Sequence, residues 1–286
     1  MIGIVNINKP KGVTSSNVVV KIKKLLNIKK VGHMGTLDPL ASGVLPICVG
    51  KATRLFDYFL KKQKTYIAQF KFGEETNTLD LEGEVIKTSN NIPTLNQIKS
   101  AIEKFIGEID QIPPMFSSKK INGKKAYDLA RKGEEVELQP CKVVIYDYKV
   151  LNQINDTTFE FLITCSAGTY IRCLARDLGE SLNSCATMVS LVRTKTGVFE
   201  IEDSIDYETL SKEVLTSKII PLEQVLIDFE KFVISQQNFQ RLLNGLPLRV
   251  EELKPNINYA IYCNDKVIGI GVCENSNLKI KTYLAD

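Results

Sequence analysis

The stretch GHMGTLDPLASGVLPICVGKATRL, Gly32 to Leu55, constrains this chain more than any other. It carries four glycines, an Asp38-Pro39 pair and His33, the single histidine among 286 residues. Glycines permit left-handed turns, and an aspartate can cap a helix or close a turn. The stretch therefore predicts a loop, then VLPICV as a buried strand, then a helix through ATRLFDYFLKK.

The flanks predict the rest of the scaffold. GIVNIN reads as a strand and Lys9-Pro10-Lys11-Gly12 as a turn. Thr14, Ser15 and Ser16 offer N-caps to a helix with Val18, Val19, Ile22, Leu25 and Leu26 on one face. TYIAQFKFG alternates like a strand, and TLNQIKSAIEKFIG is an amphipathic helix with a threonine cap and a closing glycine. QIPPMFSSKKINGKKAYDLARKG reads as a loop and turn leading into a short helix. VVIYDYKVLNQINDTTFEFLITC reads as a hairpin turning at Asn155-Asp156, and GTYIRCLARDLGESLN as a helix. Strands that interleave with helices and also form hairpins predict an α+β fold, with a mixed, largely antiparallel sheet and flanking helices. Beyond residue 228 the texture changes to a short helix ending at Gly245 and the short strands YAIYCN, VIGIGVC and LKIKTYL. The expected division is a domain of residues 1–228 and a small β-rich domain of residues 229–286.

Composition narrows the chemistry. The seven cysteines are scattered, odd in number and form no C-x-x-C pair, which argues against a disulfide framework and a structural zinc site. A single histidine excludes a His-rich metal centre. No apolar run approaches the roughly 20 residues that cross a bilayer, and MIGIVNINKPKG lacks a signal-peptide core. A soluble cytoplasmic protein is expected. The net charge of +4 is mild, but KIKKLLNIKK, KKQK and KKINGKK concentrate positive charge in the first half. Such clusters suit a phosphate backbone, and they suit solvated helix faces equally well.

Two readings of the glycine stretch fail at once. A P-loop needs G-x-x-x-x-G-K-[ST], whereas six residues separate Gly43 from Gly50 and Ala52 follows Lys51. A serine hydrolase needs G-x-S-x-G, which this chain lacks. Two readings stay open: a structural loop, or a carboxylate acting at a sugar carbon. Carboxylates serve that second purpose because glycosyl transition states resemble an oxocarbenium ion. A uracil ring attached through nitrogen is a leaving group that tolerates negative charge, so it needs no histidine beside the carboxylate.

GHMGTLDPLASGVLPICVGKATR resembles the signature of the tRNA pseudouridine-55 synthases, the TruB family. NINKPKGVTSSNVV, KTYIAQFKFGEETNTLDLEGEV, PPMFSSKKINGKKAYDLARKG, CSAGTYIRCLARDLGESL and LVRTKTGVF resemble the family's other motifs in the same order. The resemblance implies a pseudouridine synthase fold closed by a PUA-like RNA-binding domain, and cofactor-free, metal-free isomerisation of a uridine in the T-arm of tRNA. The short C-terminal module and the absence of basic tails favour a stand-alone enzyme, expected to be a monomer that acts without a protein partner or a membrane. The resemblance places Asp38 on the catalytic aspartate, which starts breakage of the uracil–ribose bond by attack at C1′ or by a glycal-type route. It places Tyr66 on the tyrosine that stacks on the target uracil and assists proton removal, and Arg172 on the arginine that pairs with the aspartate. Tyr170 and Leu191 fall on positions that contact the target nucleotide. His33 falls on an RNA contact that fills space in the rearranged T-loop, and the glycines let RNA and loop backbones approach. Without the resemblance, Tyr66 and Leu191 read as sheet core and Arg172 as an ordinary helix arginine. Phe116, Ser118, Lys119, Val192 and Arg54 depart from the family's usual residues and bear on local RNA contacts. An RNA-binding, tRNA-folding protein with secondary catalysis, and a related synthase working with guides or partners, are the competing expectations.

Overall fold

The computed structural model describes residues 1–115, 120–121, 124–125 and 138–285. Phe116, Ser118, Lys119 and the short helix expected after Lys125 lie outside the described residues.

A ten-stranded sheet forms the body. Across it run Ile205–Asp206, Gly3–Lys9, Ser42–Val49, Ala186–Thr196, Lys64–Phe72, Thr158–Cys165, Cys141–Gln153 and Gly107–Gln111, with Val31–His33 and Phe199–Glu200 paired off this path. The Gly3–Lys9 pairing with Ile205–Asp206 and the Ser42–Val49 pairing with Ala186–Thr196 are parallel; the other neighbours are antiparallel. The α+β architecture is as the sequence pattern predicts.

Local chemistry sets the element ends. The Ser15–Leu26 helix starts where the Thr14 hydroxyl accepts the Asn17 N–H, and it buries Val18, Val19, Ile22 and Leu26. It stops at Asn27, which adopts a left-handed conformation that few residues tolerate. The Leu95–Ile102 helix opens on a capping box between Thr94 and Gln97. In the hairpin, the Asn155 side chain accepts the N–H groups of Thr157 and Thr158, closing the predicted turn. The helix expected through ATRLFDYFLKK is tighter than α for its first half: Gly50–Leu55 is 3-10 and Phe56–Leu60 is α.

A second, five-stranded sheet follows, in the order Glu230–Val233, Asn258–Cys263, Lys266–Glu274, Asn277–Tyr283 and Leu248–Arg249. It packs on the first through a shared cluster that includes Ile4, Met34, Val44 and Phe59 on one side and Ala260, Tyr262, Ile270 and Leu284 on the other. Among the described residues, no helix is long and apolar enough to cross a membrane.

Candidate active site

The loop that carries Asp38 is pinned along its length. Ser15 Oγ accepts the Leu37 N–H at 2.9 Å and lies 2.9 Å from the Leu37 carbonyl. On the other side of Asp38, the Pro39 carbonyl accepts the Gly12 N–H at 2.8 Å, with Lys9 Nζ at 3.5 Å. Lys9 also donates to the carbonyls of Pro10 and Val13, and it is fully buried. Burial pushes its amine down to about 8 against the opposing pull of the Asp38 carboxylate.

The glycines serve the protein's own backbone first. Gly43 has φ +100°, and a Cβ there would lie 2.2 Å from the Arg193 carbonyl oxygen, because the Ser42–Val49 and Ala186–Thr196 strands pair at that point. A Cβ on Gly50 would lie 2.5 Å from the Met1 carbonyl oxygen. At Gly43 the close partner is a neighbouring strand, and at Gly50 it is the start of the chain. His33 likewise sits on the short Val31–His33 strand rather than in the loop.

Arg172, on the Ile171–Ser181 helix, reaches the Asp38 carboxylate from below. Its Nη2 lies 3.3 Å from Asp38 Oδ2, and its Nη1 lies 3.1 Å from Asp80 Oδ2 and donates to the Thr78 carbonyl at 3.0 Å. The expected pair is therefore a trio. The Asp80 side chain is 5% exposed and Arg172 7%, whereas Asp38 is 44% exposed. Asp80 anchors a buried cation, and the cation presents Asp38 to solvent.

Asp38, Tyr66, Tyr170, Arg172 and Leu191 line one cavity of about 740 Å³, joined there by Lys64 and Arg193. Strand register explains the grouping. Arg193 lies opposite Tyr66, and Leu191 opposite Ala68. Tyr66 is buried, and that burial pushes its phenol up to about 12 despite a hydrogen bond and favourable charge from Arg193. Arg193, 1% exposed, donates to the carbonyls of Val44, Gly35 and Thr36, so it ties Tyr66 to the Asp38 loop. Lys64, in the basic run KKQK, turns inward instead of towards solvent: its Nζ donates to the carbonyls of Leu60 and Lys62. Lys62 pairs with Asp228 at 3.0 Å. His33 lies outside the cavity lining. Burial first and Arg193 second hold its imidazole below the usual value, and its Nδ1 is buried with no hydrogen-bond partner among the described residues. Among the described residues no three His, Cys, Asp or Glu side chains gather as metal ligands.

Sequence reasoning passes over Lys9, Lys64, Asp80 and Arg193. For Lys64 a signal was present, since it falls in phase with Tyr66 and Ala68 in an alternating strand. Asp80 and Arg193 lie within stretches that resemble family motifs, but nothing local to either marks it as buried.

Comparison with known proteins identifies the family. A family model described as TruB family pseudouridylate synthase (N terminal domain) matches residues 23–171, and one described as tRNA pseudouridylate synthase B C-terminal domain matches residues 172–233. A Clostridium tetani protein named tRNA pseudouridine synthase B is 44% identical over 289 residues, covering 99% of this chain and all of that protein. Its namesake from Clostridium novyi is 41% identical with the same coverage. A solved chain from the structure of an H/ACA RNP bound to a substrate RNA containing 2′-deoxyuridine superposes with a TM-score of 0.75 at 26% identity, over 99% of this chain and 85% of that one. Models that run without a break from residue 23 to residue 233, and relatives this similar from end to end, place the chain in the TruB family of pseudouridylate synthases.

Proposed function

We propose that this protein is a tRNA pseudouridine synthase that isomerises uridine 55 in the T-loop, with Asp38 as the residue that acts at the ribose. The observation that carries the reading is the half-exposed Asp38 carboxylate, held by a buried Arg172 at the wall of a cavity backed by Tyr66.

In this reading the N1–C1′ bond breaks as positive charge grows on the sugar, and the Asp38 carboxylate stabilises or captures C1′. The uracil turns and rejoins through C5. The hydrogen on C5 leaves and N1 gains one, so the product is an isomer, no electrons are exchanged and no cofactor is called for. Arg172 fixes the carboxylate's direction, and positioning of this kind lowers the barrier because the reacting groups start aligned. Tyr66 offers its ring face to the uracil, with Tyr170 and Leu191 against the target nucleotide. His33, on its strand outside the cavity, takes up space in the opened T-loop. Among the described residues, Arg172, Arg193, Lys64 and Lys61 around the cavity outnumber Asp38, a balance that suits a substrate carrying phosphates. Residues 229–286 serve as a PUA-like RNA-binding unit, and the enzyme works as a monomer in the cytoplasm with the tRNA T-arm as its one macromolecular partner.

The test is direct. Purified protein is incubated with an unmodified tRNA transcript, and pseudouridine is mapped by chemical labelling. Asp38→Asn is expected to abolish product while tRNA affinity stays within a few fold, because phosphate contacts supply most binding. Substantial turnover by Asp38→Asn, or product at another uridine, overturns the assignment.

A further inference from the structure

The isomerisation leaves one proton to be placed. Once C5 is joined to C1′, the hydrogen on C5 must pass to a base. Tyr66 is ill suited to that task, since burial holds its phenol up at about 12 even against the opposing pull of Arg193. Asp38 is committed to the sugar. Among the described residues two amines line the cavity: Lys61, which is exposed, and Lys64, which is buried.

Lys64 opens the Lys64–Phe72 strand and shares a face with Tyr66, two residues on. Its Nζ donates to the Leu60 carbonyl at 3.0 Å and to the Lys62 carbonyl at 2.8 Å. An ammonium has three N–H groups, so two fixed bonds leave the third for the cavity; on the neutral amine that place is a lone pair. A Cβ built on Gly35 would lie 3.9 Å from Lys64 Cε, so the side chain runs beside the loop that holds Asp38. Among the described residues, the groups that face it are Arg193 from the neighbouring strand, the Cys165 thiol in register on the other side, Tyr66 on its own strand and Lys61 in the preceding turn. Burial and then Arg193 lower its amine to about 8, while burial holds the Cys165 thiol up at about 11 and protonated.

We infer that Lys64 is the base that removes the C5 proton after the new glycosidic bond has formed. This rests on the pseudouridine synthase reading above. The lone pair of the neutral amine takes the hydrogen from C5. The C5–H electron pair becomes the C5=C6 double bond, and the former N1=C6 pair moves to N1, which takes a proton from water. The ammonium then returns its proton to water. Asp38 has no part in this step, which is the same for a covalent and a glycal route.

Lys64→Arg separates this role from a structural one. Arginine keeps the charge and the donors to both carbonyls, yet it does not give up its proton in a protein. Lys64→Met removes both functions. Single-turnover assays use tRNA transcripts carrying hydrogen or deuterium at uridine C5. Both variants are expected to slow pseudouridine formation by roughly 100-fold or more, with tRNA affinity within a few fold. Their deuterium effect should exceed that of the wild type, and the wild-type rise in rate towards pH 8 should disappear. Lys64→Arg within about threefold of wild type shows a cap and overturns the proposal. So does a slow variant with an unchanged deuterium effect. Failure of the broader reading looks different, since the wild-type protein itself would then make no pseudouridine.

Discussion

Asp80→Asn tests whether a residue outside the cavity lining governs Asp38. Asp80 Oδ1 accepts the Thr78 hydroxyl at 2.7 Å and the Glu82 N–H at 3.1 Å, and an asparagine oxygen can keep both bonds. Oδ2 faces Arg172 Nη1 at 3.1 Å. In the variant that position becomes an amide N–H, so a donor confronts a donor and the charge is gone. A hydrogen bond between charged groups is worth about 1.5–3 kcal/mol, which converts to a rate loss of roughly 10- to 150-fold if Arg172 no longer directs Asp38 in the transition state. Folding should also weaken, though by less than the 3–5 kcal/mol typical of breaking a buried pair from one side, because Asp38 and the Thr78 carbonyl still hold the guanidinium. Single-turnover pseudouridine formation with saturating tRNA measures the first effect, and urea unfolding measures the second. Binding should be unchanged. A rate within threefold of wild type would mean that Thr78 and Asp38 alone fix Arg172. A loss confined to tRNA affinity would refute the positioning argument altogether.

Binding should weaken steeply with salt: if about four phosphates are neutralised by exposed lysines such as Lys29, Lys30 and Lys61, the logarithmic slope is near −3. A flat response in filter binding would show those lysines to be merely solvated. His33→Phe and His33→Gln should keep much of the activity, and His33→Ala should lose roughly 5- to 150-fold in productive binding, the range for a lost stacking contact. His33 also binds its proton less readily folded than unfolded, so its contribution to stability is full above about 6.5 and is lost as pH falls below that value; His33→Gln should flatten this acid slope in urea titrations. Gly43→Ala should destabilise the fold by at least about 2 kcal/mol, from an unfavourable φ and a contact with the Arg193 backbone that cannot relax. An unchanged melting temperature would show that the strands separate there at little cost.

The contrast between what the sequence disclosed and what it concealed follows charge. Apolar alternation and caps are local, so the Lys64–Phe72 strand, the Thr14 and Thr94 caps and the Asn155 turn could be read directly. Buried charges depend on partners far along the chain. Arg172 meets Asp80 across 92 residues, and Arg193 meets the Gly35 carbonyl across 158. By default a lysine or arginine is assigned to solvent, because an unpaired charge is costly to bury. Lys64 shows where that default fails. Its strand buries every second residue from Lys64 through Tyr66, Ala68 and Phe70 to Phe72, so the phase of the alternation already turns it inward. The KKQK run argues the other way, and phase prevails because reversing it would send Tyr66 and both phenylalanines to the opposite face. The carbonyls at the end of the preceding helix then satisfy the amine. A charged residue in phase with the core of a strand, immediately after a helix end, is therefore a candidate site residue on sequence grounds alone. Arg193 carries no such mark, since its burial depends on Gly43 leaving room for the two strands to meet.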